Sequence, residues 1–201
     1  MKGICFKEPL FNATVEGRKT QTRRIMKPQP YLLKTTNETQ WLRELNLRPN
    51  ELNGDFKPRY KVGDIVYLKE PYRYFDKSIF EVELQYKYRG DIKLDWDYKV
   101  IDSWENKLFM PAEAARYFIE ITGVNAERLQ DISDTDCEKE GICPVWENSF
   151  VIGWNNKSSK VVYENRRQAY AALINQINGR GTWEANPYVW VYDYKLCDVT
   201  I

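Results

Sequence analysis

The stretch from Tyr188 to Leu196, YVWVYDYKL, constrains the fold of this chain more than any other. It follows Pro187, has strand length, and is rich in aromatic and β-branched residues. Its side chains are apolar on both faces for several residues. A strand with one wetted face would alternate apolar and polar positions, so this one belongs in the middle of a sheet or barrel, covered on both sides. Such a strand needs flanking strands.

The sequence supplies them. A Gly63-Asp64 turn precedes an apolar run that starts a strand near Ile65. Residues 116 to 124 carry the same aromatic and β-branched bias, and residues 19 to 25 read as a polar strand running on to Pro28. Ile79 to Tyr86 alternates cleanly and is broken by Arg89-Gly90-Asp91, which reads as a hairpin. Helices are fewer. A short one is expected over 9–17 with Gly17 as its stop, and another over Asp134 to Glu140, capped by Ser133 or Asp131 and ended by Gly141. The clearest spans 163–177, where Ala169, Tyr170, Leu173, Ile174 and Ile177 recur at three- and four-residue spacing. Residues 28–60 contain four prolines and many polar positions, with a short helix near Trp41 to Leu45. The expected plan is α+β: a small, mostly antiparallel sheet or barrel with flanking helices. It forms a single domain over 1–201, with insertions at about 28–60 and 72–108.

Composition narrows the chemistry. The 201 residues include 30 Lys and Arg, 29 Asp and Glu, and no histidine. A net charge of +1 argues against a protein that coats polyanions generally, though a local basic site remains open. The lack of histidine removes Ser-His-Asp and Cys-His nucleophile systems, histidine-ligated zinc and a histidine pH switch. Any acid or base must be Lys, Glu, Asp, Tyr or Cys. Cysteines 5, 137, 143 and 197 include no C-x-x-C pair, so neither a metal nor a cofactor is called for, and reduced thiols in a cytoplasmic protein are expected. The longest apolar runs fall far short of the roughly 20 residues of a membrane span.

Three features could carry function. Arg18 to Lys27 (RKTQTRRIMK) holds five cations and no acid. It is either a solvated strand and turn whose charges meet acids from elsewhere, or an anion or nucleic-acid site. Asp131 to Glu140 (DISDTDCEKE) is its natural electrostatic partner. Helix capping accounts for its early acids, but Glu140 sits at the helix C-terminus, where the dipole disfavours a carboxylate and invites a cation. Trp41, Tyr67, Tyr72, Tyr74, Phe75, Trp154, Trp183, Tyr188 and Trp190 could stack on bases or simply fill the core. The loop from Gly179 to Pro187, with Trp183 and Asn186, has the character of loops that border sites.

Taken in order, four motifs resemble the ASCH branch of the PUA-like superfamily, particularly versions carried by phages and bacterial mobile elements. They are Gly17-Arg18-Lys19-Thr20-x-Thr22-x-Arg24; Val62-Gly63-Asp64; Leu129 to Ser133 leading to Glu138 to Ile142; and Trp183-x-x-Asn186-Pro187-x-Val189-Trp190-Val191. The resemblance implies a small PUA-like β-barrel and RNA or nucleoside ligands. Some small bacterial ASCH proteins hydrolyse the amide of N-acylated cytidine with a Lys, a Thr and a Glu, which match Lys19, Thr22 and Glu140. One departure is Met110 to Arg116 (MPAEAAR), where phage relatives commonly carry a basic and an aromatic residue.

The resemblance thus implies a cleft with Lys19, Thr22 and Glu140 as the catalytic set and Arg18, Arg23, Arg24, Trp183 and Asn186 as substrate contacts. A desolvated lysine flanked by arginines has a lowered pKa and could take the Thr22 proton, and Glu140 could serve the leaving amine or the water. The alternatives are a non-catalytic RNA-binding module and an ASCH-type ribonuclease. One geometric condition applies. Strand alternation sets Thr20, Thr22 and Arg24 on one face and Lys19 on the other, so convergence requires Lys19 to lie in the turn before the strand.

Overall fold

A computed structural model describes residues 1–30, 57–74, 86–88, 105–148, 150–155 and 161–198. The expected helix near Trp41, and the Ile79–Gln85 and Arg89–Asp91 parts of the expected hairpin, lie outside them. Most of both insertions does too.

The final strand, β9 (Tyr188–Cys197), is central. It pairs antiparallel on one side with β6 (Phe118–Arg128) and on the other with β2 (Gln21–Ile25). β6 continues to β3 (Ile65–Lys69), and β3 pairs in parallel with β1 (Lys2–Cys5). The five-stranded order is β1-β3-β6-β9-β2, antiparallel except for the β1-β3 pair. Tyr188 through Tyr192 are all buried, as expected of a strand covered on both faces. β6 contains a bulge between Ile121 and Gly123, opposite Tyr194 and Asp193. A Cβ at Gly123 would lie 2.8 Å from Asp193 Oδ2, so a larger residue there would have to displace the Asp193 side chain.

No backbone ladder closes the sheet among the described residues, so the expected barrel is not seen as a closed ring. The sheet nevertheless curls. Laid flat, five strands put their edges about 19 Å apart, four steps of about 4.8 Å. Yet Arg24 Nη2 on edge strand β2 donates to the Cys5 carbonyl on edge strand β1 at 3.0 Å. Side chains link edges that a flat sheet would hold beyond arginine's reach.

Helices cover this sheet. α1 (Glu8–Val15) buries Leu10, Ala13 and Thr14, and Gly17 follows at φ 74°. α2 (Asp134–Lys139) is capped by Ser133, whose Oγ accepts from Asp136 N at 3.1 Å, and the chain reverses at Gly141, φ 97°. α3 (Arg166–Asn178) is capped by Asn165 and buries Ala169, Tyr170, Leu173 and Ile174. Burying a Leu or Ile side chain contributes about 1.5–3 kcal/mol, which is what docks so polar a helix. The 179–187 loop contains a one-turn helix, α4 (Thr182–Ala185). Two smaller antiparallel pairs complete the described structure: β4 (Tyr72–Tyr74) with β5 (Tyr86–Tyr88), and β7 (Cys143–Glu147) with β8 (Phe150–Asn155). Tyr86 to Tyr88 therefore pair backwards onto Tyr72 to Tyr74. No helix among the described residues is long and apolar enough to cross a membrane.

Candidate functional site

β2 begins at Gln21, so Lys19 and Thr20 lie in the turn before it. Lys19 is thereby released from strand alternation. Its backbone N–H donates to the Ala13 carbonyl (2.9 Å) and that of Thr20 to the Lys139 carbonyl (2.9 Å), which ties the turn to the ends of α1 and α2. These two bonds bring the basic and acidic stretches together.

Lys19 is 1 % exposed and Glu140 4 % exposed. Lys19 Nζ donates to Glu140 Oε2 (2.5 Å), to the Glu140 carbonyl (3.1 Å) and to the Gln21 carbonyl (2.7 Å). All three ammonium protons are thus engaged. Such saturation is what a buried cation needs, because desolvating it without partners costs several kcal/mol. Burial, assisted by Arg24 and Arg23, still holds the Lys19 pKa below its ordinary value, with Glu140 working the other way.

Arg23 is the second cation on Glu140. Its Nη1 donates to Glu140 Oε1 (3.3 Å) and Gln21 Oε1 (2.5 Å), and its Nε to Glu127 Oε1 (2.7 Å). Gln21 in turn donates to Asp193 Oδ1 at 2.7 Å. Burial and the nearby acids raise the Glu127 pKa, although Arg23 opposes the shift. Arg23 is therefore an internal clamp between β2, β6 and α2 rather than a free basic group.

A cavity of about 200 Å³ opens beside this network, and Lys19, Thr22, Arg23, Arg24 and Glu140 all line it. Its other wall is apolar, from Leu10 of α1 and Leu173, Ile174 and Ile177 of α3. Two buried polar atoms at this site make no hydrogen bond among the described residues: the Tyr170 hydroxyl, and Arg23 Nη2, which lies 3.5 Å from Asp136 Oδ2. Tyr170 was legible in the sequence only as one of the apolar positions of α3, with nothing to mark it as a cavity residue.

Three expected substrate contacts lie elsewhere. Arg18 Nε donates to Glu16 Oε2 at 2.6 Å, beyond the end of α1. Trp183 packs edge-on against Tyr170, with ring centroids 6.2 Å apart, and its backbone N–H donates to Asn175 Oδ1. Asn186, at φ 44°, accepts from Gln130 N at 2.8 Å through its side chain. Trp183 and Asn186 hold the turn into β9, and none of the three lines the cavity. Of the other aromatic candidates, Tyr67, Tyr72, Tyr188 and Trp190 are buried, and Trp154 lies under Arg166, whose Cζ is 3.7 Å from its ring centroid. Trp41 and Phe75 lie outside the described residues, as does the side chain of Tyr74. Arg116, in the divergent 110–116 stretch, makes a two-pronged pair with Glu70, both bonds 2.8 Å. The four cysteines are unpaired, and no cluster of potential metal ligands occurs among the described residues.

Comparison with protein-family models, with curated proteins and with solved structures found no match to this chain.

Proposed function

We propose that the protein is a PUA-like, ASCH-type amidohydrolase acting on the acyl amide of N-acylated cytidine or a similarly modified base. The observation that carries the reading is the convergence of Lys19, Thr22 and Glu140 on one cavity. The curled sheet, with Arg24 bridging its edges, supports a partly open version of the barrel. At about 200 Å³ the cavity is smaller than the roughly 300–1,000 Å³ of drug-sized sites, which suits a base and its acyl group with the sugar outside.

The residues account for the chemistry without histidine. Across their 2.5 Å hydrogen bond, Lys19 can pass a proton to Glu140, giving a neutral amine and a carboxylic acid. Burial, which lowers the Lys19 pKa, eases the loss of that proton. The amine takes the Thr22 hydroxyl proton, and the alkoxide attacks the acyl carbon. Glu140 then gives its proton to the departing amine, leaving an ester on Thr22. Water attacks that ester as Glu140 takes its proton, and Lys19 returns one to the Thr22 oxygen. The overall change is amide plus water to acid plus amine. The Tyr170 hydroxyl, and Arg23 Nη2, which pairs with Asp136 at 3.5 Å without a hydrogen bond, are donors suited to the oxyanion.

A second reading has an observation of its own. In the resting geometry Lys19 directs all three protons to Gln21 and Glu140, and none to Thr22, which suits a non-catalytic RNA-binding module. The test is to incubate wild type and Thr22→Ala with N-acylated cytidine and with short RNA, and to separate the products chromatographically. Cytidine released by wild type and not by Thr22→Ala supports the amidohydrolase. Cleaved RNA supports a ribonuclease. Product from neither substrate rejects both enzymes, and salt-dependent RNA binding that survives Thr22→Ala but falls with Arg24→Ala then supports the binding module.

A further inference from the structure

Arg24 lines a second concavity, of about 380 Å³, in addition to the Lys19 cavity. Four cations surround it: Arg24 and Lys27 at and beyond the end of β2, and Lys57 and Arg59 from the segment before β3. Among the described residues, no carboxylate lines it. This is unusual within the chain, where Lys2 pairs with Asp64, Arg116 with Glu70, Arg166 with Glu138 and Lys195 with Glu120. Among the described residues, the hydrogen bonds of the Arg24 and Arg59 guanidinia go to backbone carbonyls, of Cys5 at 3.0 Å and Gly3 at 3.5 Å. Lys27, Lys57 and Arg59 are exposed, and neither lysine ammonium has an acid or a hydrogen-bond acceptor among the described residues.

The floor is aromatic and fixed. Tyr60 and Tyr192 meet edge to face with centroids 5.2 Å apart. The Tyr60 hydroxyl donates to the Gly3 carbonyl (3.0 Å), and the Arg59 backbone N–H donates to the Tyr192 oxygen (3.0 Å). The polar tips of both rings are thus occupied, which leaves a rigid apolar base beneath a cationic rim. Like charges gathered around one concavity repel each other, and an anion relieves that repulsion. A single carboxylate would need only one or two of them. Four suit the several oxygens of phosphate groups.

We propose that Arg24, Lys27, Lys57 and Arg59 form a phosphate-binding groove whose ligand continues through Arg24 into the Lys19 cavity, so that the substrate is a phosphate-bearing nucleotide rather than a free nucleoside. The link to the cavity rests on the reading above, in which a base enters beside Lys19. The phosphate belongs either to a mononucleotide or to a polynucleotide backbone, and the groove chemistry is the same for both.

The test uses the full chain and three probes: cytidine, cytidine 5′-monophosphate and a short oligocytidylate. Binding is measured by calorimetry across a salt series for wild type and for the combined variant Lys27→Ala, Lys57→Ala, Arg59→Ala, with thermal unfolding as a check that the fold persists. The expected result is tighter wild-type binding of at least one phosphate-bearing probe than of cytidine. The variant should lose about tenfold or more of that advantage at low salt, and its log–log salt slope on the oligomer should flatten by about 0.7 per lost contact, about two in all. Cytidine binding should not change. A gain already complete with the monophosphate assigns a terminal phosphate, and a gain confined to the oligomer assigns a phosphodiester chain. Equal wild-type binding of all three probes, or no effect of the triple substitution, would overturn the groove. Turnover of N-acylated cytidine is scored separately: its absence with the groove effects intact rejects the enzyme alone, and its presence without them rejects the groove alone.

Discussion

Replacing Glu140 by Gln keeps the shape of the side chain and removes its charge from between Lys19 and Arg23. Arg23 retains Glu127 at 2.7 Å and Asp136 at 3.5 Å, so the consequence falls mainly on Lys19. At 1 % exposure the ammonium cannot regain water. Removing one partner of a buried ion pair costs about 3–5 kcal/mol, and because a Gln oxygen still accepts a hydrogen bond, Glu140→Gln should lie near the lower end, about 3 kcal/mol. That is a large share of a domain's usual stability of about 5–15 kcal/mol, yet leaves a folded population to titrate. Adding Lys19→Met removes the stranded charge, and the double variant should regain about 1–2 kcal/mol over Glu140→Gln alone. The pH dependence follows in sign. Burial already lowers the Lys19 pKa, and the variant loses the carboxylate that opposed the shift. Above its folded pKa the variant's Lys19 is neutral, while in the wild type Glu140 holds that proton to a higher pH, so the penalty should shrink as pH rises between the two folded values. Urea unfolding followed by circular dichroism at several pH values measures all three quantities. A loss below about 1 kcal/mol near neutral pH, or a double variant no more stable than Glu140→Gln, would refute the claim that this pair carries a buried charge.

Three further expectations concern the surroundings of the site. Burial alone would raise the Asp136 carboxyl, but hydrogen bonds from Lys139 and Ser133, and the charges of Lys139 and Arg23, hold it below its ordinary value. Its stabilisation is present above the unfolded carboxylate pKa and lost as pH falls through the lowered folded one. Asp136→Asn should therefore flatten the acid side of a plot of urea midpoint against pH, and an unchanged acid limb would count against it. Burial pushes the Cys137 thiol up to about 12, so mass spectrometry after alkylation of the native protein at about pH 8 should find Cys137 the slowest of the four cysteines to react. Gly123→Ala would drive a methyl against Asp193, which holds Gln21 at 2.7 Å, and should cost about 1–3 kcal/mol in the same urea assay.

Some of this was legible in the sequence because the signal was local. β9 announces its central place through apolar residues on both faces, and α3 through its three- and four-residue spacing. Glu140 at a helix C-terminus asked for a cation, and the run of five cations in Arg18 to Lys27 offered one. What the sequence could not say was how those cations divide. Arg18, Arg23 and Arg24 look alike in it, yet Arg18 turns back to Glu16, Arg23 is buried among three acids, and Arg24 crosses to the opposite edge of the sheet. That division depends on where β2 begins and on its register with β9, which are tertiary facts. β1 is four residues long and paired in parallel to a distant strand, too short to show a period. The β7-β8 pair, with Pro144 in one strand and Gly153 in the other, shows no clean alternation that would mark it as a hairpin. Trp183 and Asn186 attracted attention as residues of a glycine-rich loop, but their contacts secure the turn into β9. The groove cations Lys57 and Arg59 lie thirty or more positions from Lys27, and the fold brings them together.

The central claim is that Thr22 becomes acylated during turnover. Its most direct test is to mix wild type with N-acylated cytidine, quench within a single turnover, and map the protein by peptide mass spectrometry. The expected result is one acyl group on the peptide containing Thr22, gained as cytidine is released, lost as the free carboxylic acid appears, and absent from Thr22→Ala. Turnover that persists in Thr22→Ala, or an acyl group carried by Lys19 instead, would contradict it.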